Sequence, residues 1–133
     1  MTARAALHTL LSDDVELATI GVERVYPTNA VDTAPESCFV IVRWDPSTVA
    51  FKTTGPDRAQ IWVHDVDRSY DRINAALHRI RELLTDTVHR AGADGWTLTT
   101  AEWLGEGPDL FDAGYSTCTR YADFTVISRY TAS

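Results

Sequence analysis

The sequence predicts an α+β fold in the order helix, strand, strand, strand, helix, strand, strand: a four- to five-stranded antiparallel or mixed sheet with two helices packed on one face. Three observations predict it. An apolar spacing of three and four residues runs through positions 67–90. β-forming runs stand before it (38–44 and 59–65) and after it (96–104 and 117–128). The helical patterns are segregated instead of alternating regularly with strands. With 133 residues, 44% hydrophobic and 23% charged, and only 7 Gly and 5 Pro, the chain has the composition of one domain spanning 1–133. A chain of this length buries enough surface to need no metal or disulfide staple.

The first element rests on Ala3, Ala5, Ala6, Leu7, Leu10 and Leu11, apolar at helical spacing and closed by Ser12-Asp13-Asp14. Val15 to Ile20 reads as one further turn before Gly21, and Val22 to Tyr26 alternates as a short strand that stops at Pro27. Residues 27–37 read as loop. Cys38 to Trp44 is a run of β-formers, and Ala59 to Asp65 alternates Ala59, Ile61 and Val63 against Gln60, Trp62 and His64, so the two are expected to pair as an antiparallel hairpin. The main helix, from about Asp67 to Arg90, carries Tyr70, Ile73, Leu77, Ile80, Leu84 and Val88 on one stripe; Asp67 or Ser69 suits its N-cap and Gly92 or Gly95 its end. Trp96 to Leu104 and Thr117 to Ser128 close the sheet.

Two twelve-residue connections, 46–57 and 105–116, are long for a small domain and mark candidate functional segments. They carry Phe51 in the first and Phe111 and Tyr115 in the second, among Gly, Pro and Asp. Aromatics in such loops suit a protein partner, or they fold back onto their own sheet.

Twelve basic against 19 acidic residues give −7, which disfavours a general clamp on phosphate backbones or anionic lipid. No run approaches 18 apolar residues and the N-terminus lacks an apolar signal core, so a soluble, cytoplasmically made protein without membrane contact is expected. Cys38 and Cys118 lie far apart with no CxxC pattern, which reads as two reduced core thiols; whether they meet in space depends on the fold.

The densest polar cluster is His64-Asp65-Val66-Asp67 with Asp71, the one candidate for a small metal-dependent hydrolase. It lacks the glycine and terminal Glu of a calcium loop and a second His at zinc spacing; aspartates at a strand end running into a helix N-terminus explain it better. No nucleophile elbow, phosphate loop, dinucleotide fingerprint or zincin motif occurs. No catalytic residue, cofactor or metal ligand is therefore assigned, and the reading is a structural or interaction protein.

Several stretches together resemble the tail terminator (tail completion) proteins of long-tailed, siphovirus-type bacteriophages, those of actinobacterial hosts in particular. They are the opening helix with Arg24-Val25-Tyr26-Pro27, the strand CFVIVRW at 38–44, IWVHDVDRSYDRINAALHRIRELL at 61–84, and AEWLGEGPDLFDAGYSTCTRYADFTVI at 101–127. The likeness covers most of the chain as a pattern of elements and short phrases. It implies a non-enzymatic virion protein at the head-proximal end of the tail. Such a protein forms a homo-oligomeric ring, six-membered in the family, that ends tube polymerisation, and its other partners are the tail tube protein and a head-completion or neck protein. Another neck or head-closure protein is the nearest alternative. A ring of this kind needs unlike patches on each subunit. The candidates for subunit or tail-tube contact are Phe51, Lys52, Asp109, Leu110, Phe111 and Tyr115. Candidate channel-lining acids, which would let DNA pass without specific binding, are Asp65, Asp67, Glu106, Asp109 and Asp112.

Overall fold

The 17-residue helix Tyr70–Asp86, named α3 below, shows how the fold is built. Its Ile73, Ala76, Leu77, Ile80, Leu83 and Leu84 are buried on one side, the stripe expected from a 3.6-residue period. In the computed structural model, residues 3–26, 37–45, 54–67, 70–86, 90–91 and 96–130 are described. The elements before α3 are α1 (Ala3–Ser12), α2 (Val15–Ile20), β1 (Val22–Tyr26), β2 (Cys38–Asp45) and β3 (Thr54–Asp65). After it come β4 (Arg90–Ala91), β5 (Trp96–Glu106), β6 (Leu110–Asp112) and β7 (Thr117–Tyr130).

The strands form one mixed sheet in the order β1-β2-β3-β7-β5-β4, with β6 also paired to β7. The expected β2–β3 hairpin is present, with Cys38 opposite Asp65 and Asp45 opposite Arg58. β1 joins β2 in parallel, the one parallel pairing among the described strands. The sheet is larger than the four or five strands expected because the two short strands β4 and β6 were hidden in apparent helix and loop.

Register assigns each side chain to a face. In β2, Cys38, Val40 and Val42 point toward the helices; opposite them in β3 are Asp65, Val63 and Ile61, and β7 adds Cys118, Ala122, Phe124 and Val126. The apolar ones among these side chains, with Ala101 of β5, Leu7, Leu10 and Leu11 of α1, Leu17 of α2 and the α3 stripe, make one core. All three helices therefore pack on one side of the sheet, as a two-layer α+β domain requires.

Several expectations are corrected by pairing. Val15–Ile20 is a separate helix, because Asp14 stops α1 and caps α2: its Oδ2 accepts the Leu17 N–H at 3.0 Å. Gly21 ends α2 at φ 121°, a conformation disfavoured for residues with a Cβ. The main helix is shorter than 67–90: Asp67 lies in a turn and Arg90–Ala91 pairs with β5. Ser69, Val88, Gly92 and Gly95 lie outside the described residues.

The connection 46–57 is shortened because β3 begins at Thr54, where Thr54 to Asp57 pair with β7. Pro56 is tolerated there because the β2 pairing stops at Arg58, so this stretch of β3 has a strand partner on one side only among the described residues. The connection 105–116 is no loop either. β5 runs on to Glu106, β6 takes up the pairing with β7 at Leu110, and only 107–109 and the turn 113–116 stay irregular.

Candidate interaction surface

The strand β2 is apolar on both faces: Phe39 and Ile41, which point away from the helices, are 0% and 3% exposed. A strand buried on both sides needs a second cover. The β6–β7 hairpin supplies it. Asp112 Oδ1 accepts the Tyr115 N–H at 3.0 Å, Ser116 takes a left-handed φ of 56°, and the turn folds Tyr115 back over the sheet. The Tyr115 ring meets Phe39 edge-on at 5.5 Å and His64 at 5.4 Å, while Tyr26 of β1 meets Phe39 edge-on at 6.1 Å.

Phe39 and His64, directly opposite each other in the β2–β3 register, stack at 4.8 Å with planes 4° apart. His64 Nδ1 lies 2.8 Å from the Thr117 hydroxyl. Burial pushes the His64 pKa down to about 4, against the opposing pull of the Asp112 carboxylate. The ring is a neutral core group at physiological pH.

Beside this cluster Ile41, Arg43, Trp62, His64, Asp112 and Tyr115 line an open pocket of about 290 Å³. Trp62 packs on Tyr121 at 4.5 Å, and the Arg43 guanidinium carbon lies 5.9 Å from the Trp62 ring. Gly107 allows the backbone to lie against Tyr121, since a Cβ there would fall on the ring, and its N–H donates to the Tyr121 carbonyl at 2.8 Å.

Strand β6 of this hairpin exposes Leu110 at 37% and Phe111 at 53%, two of the large apolar side chains left toward solvent. It is held from the helix side. The Tyr70 hydroxyl donates to the Leu110 carbonyl at 2.7 Å, and Arg120 binds the Gly107 carbonyl, Asn74, Glu106 and Asp109. Tyr115 is half-buried against its own sheet, while Asp109 is exposed and ion-paired. Phe51 and Lys52 lie outside the described residues.

The five acids proposed for a channel do not share one surface. Asp65 is corrected outright: it is 0% exposed on the helix-facing side, with Oδ1 accepting the Asp67 N–H at 2.9 Å and 3.6 Å from Arg72. Asp67 is exposed and 3.4 Å from the same arginine. Glu106 and Asp109 share Arg120, and Asp112 closes the hairpin turn.

The His64/Asp65/Asp67/Asp71 cluster comes apart for a simple reason. Adjacent strand residues point to opposite faces, so His64 faces Phe39 while Asp65 faces α3. Asp71 is exposed on the first turn of that helix. Among the described residues no group of three His, Cys, Asp or Glu side chains is placed to hold a metal ion.

Cys38 and Cys118 both sit opposite Asp65, one strand to either side. Two strand spacings separate them by about 9.5 Å, beyond the roughly 7 Å limit for a disulfide. Both are free and buried, and burial, reinforced by the Asp65 charge, pushes the Cys38 thiol up to about 12.

Three residues of this surface, Arg43, Trp62 and Arg120, are not among the candidates that the sequence marks. A signal for the first two was present: CFVIVRW alternates Phe39, Ile41 and Arg43 on one face, and apolar residues on both faces imply a second layer. Arg120 gave no signal, because its partners among the described residues come from α3, the end of β5 and the 107–109 bulge.

This geometry defines a two-layer α+β domain, with helices on one sheet face and an aromatic pocket under a projecting hairpin on the other. No protein-family profile and no curated protein matches the chain. Among solved structures it is similar to a chain described as "Virion of native gene transfer agent (GTA) particle", with a TM-score of 0.62 and 21% identity over 97% of this chain and 94% of that one. At that identity the likeness is one of fold.

Proposed function

We propose that the chain is a structural protein of a phage-like particle, and within it the tail terminator: a subunit of a ring, six-membered by the resemblance, at the head-proximal end of the tail tube. The observation that carries this reading is the fold shared nearly end to end with a chain of a gene transfer agent virion. The sequence phrases that resemble tail terminators supply the finer assignment.

The geometry suits the role. Contact is what the exposed surfaces offer: the apolar Leu110 and Phe111 of strand β6, and an aromatic pocket on the open sheet face. The partners in this reading are further copies of the chain, the tail tube protein and a head-completion or neck protein, with DNA passing through the ring without specific binding. The net charge of −7 favours that passage. The hydrolase reading loses its basis when His64 and Asp65 diverge.

The test is tube length. Purified chain added to polymerising tail tube protein should cap the tubes and hold their length, and deletion of its gene should give overlong tails without heads. Normal tube length with heads failing to join would transfer the assignment to a neighbouring head-closure protein.

A further inference from the structure

The surface holds two unlike features that match each other. On the open sheet face, the apolar walls of Ile41, Trp62 and Tyr115 stand beside Arg43, which is exposed and has no ion-pair partner among the described residues. On the helix side, Val15 at the start of α2 is 76% exposed, the most exposed large apolar side chain described. Two residues before it, Asp13 is an exposed carboxylate, likewise without an ion-pair partner among the described residues. The two acids that flank Val15, Asp14 and Glu16, are both committed to Arg79, at 2.8 and 3.4 Å. One face thus offers an apolar pocket with a spare cation and the other an apolar knob with a spare anion.

We propose that these two patches are the two halves of the contact between neighbouring copies: Val15 of one subunit seats in the Ile41/Trp62/Tyr115 pocket of the next, with Asp13 meeting Arg43. The occupant of the pocket is a second copy of this chain, and the inference rests on the ring reading above. Charge complementarity selects the orientation. Asp112 lines the hairpin end of the pocket, so an incoming carboxylate is repelled there and drawn to the Arg43 end. The patches lie on opposite sides of the sheet and differ, so the contact is heterologous: it propagates from copy to copy and closes as a ring when the rotation per copy divides a full turn. Neither patch includes Leu110 or Phe111, which leaves the outer side of strand β6 for the tube.

Charge reversal tests the pairing, with self-association read by sedimentation and native mass spectrometry, on the free chain and on tail tubes. Arg43→Glu alone and Asp13→Arg alone should each weaken association by about tenfold or more, and the two together in one chain should restore it to within about threefold of wild type. Val15→Asp should abolish it while leaving the monomer folded, since an acid at the first position of a helix is favourable. If the wild-type chain assembles and Arg43→Glu assembles equally well, or if the doubly reversed chain stays as weak as the single variants, the inference is overturned and the ring reading stands. If the wild-type chain is monomeric both alone and on tail tubes, the ring reading fails and the inference falls with it.

Discussion

The neutral histidine under the hairpin makes the stability of this fold acid-sensitive in a window that the structure fixes. His64 is 3% exposed and its pKa is about 4, against 6.5 for the free side chain. A histidine with a depressed pKa stabilises the fold fully above the unfolded value and loses that contribution as pH falls through 6.5 toward 4. Between those values the unfolded chain binds one more proton than the folded one, and stability falls by about 1.4 kcal/mol per pH unit. From pH 7.5 to pH 5 the loss is about 2 kcal/mol, or roughly 8 °C in Tm for a chain of this size. Urea unfolding followed by tryptophan fluorescence at the two pH values measures it. The control is His64→Phe, which keeps a ring against Phe39 and removes the titration. It should be less stable at pH 7.5 by about 1–3 kcal/mol, because the buried Thr117 hydroxyl loses its partner, and its stability should be nearly flat over the window. Equal pH dependence in wild type and His64→Phe, or an NMR titration that puts His64 at 6.5 or above, refutes the reasoning.

Four further outcomes are expected. Asp14→Ala removes the α2 cap and leaves Arg79 without its closest carboxylate, so it should cost at least the roughly 1 kcal/mol of a lost cap in urea melts. The Arg79 hydrogen bonds hold the Asp14 carboxyl below its ordinary value, so this contribution is present above the unfolded Asp value and fades as pH falls through the lower folded one. Phe111→Ala, at a half-exposed position, should cost the monomer no more than about 1 kcal/mol and impair tail assembly. Tyr115→Ala should destabilise the monomer by about 1–3 kcal/mol as well, because Tyr115 covers Phe39 and His64. Neither Cys38 nor Cys118 should react with a thiol reagent in the native protein, both should react after denaturation, and reduction should leave the mass unchanged.

What the sequence made legible is what local pattern encodes. The apolar stripe of α3 and the alternation in β2 and β3 place the core and the β2–β3 hairpin nearly residue by residue. The misses arise where a distant strand overrides local chemistry. Thr54-Gly55-Pro56-Asp57 reads as the end of the connection 46–57, yet β7 pairs with all four residues; Gly107-Pro108-Asp109 reads as part of the connection 105–116, yet it is a bulge inside one long hairpin. The acidic cluster misled for a related reason. His64 and Asp65 are adjacent in sequence, and the pleat sends them to opposite faces. Of the surface residues, Leu110 and Phe111 stood out as apolar in a polar segment, whereas Val15 and Arg43 gained meaning only when the fold put them on opposite sides of the sheet.

The most direct test of the central claim is a cryo-electron microscopy reconstruction of the particles whose genome encodes this chain. A ring of copies of this chain is expected, seated on the last tube ring at the head-proximal end of the tail, with Leu110 and Phe111 of each strand β6 toward the tube. Particles that lack the chain, or that carry it only in the capsid or at the distal tip, would contradict it.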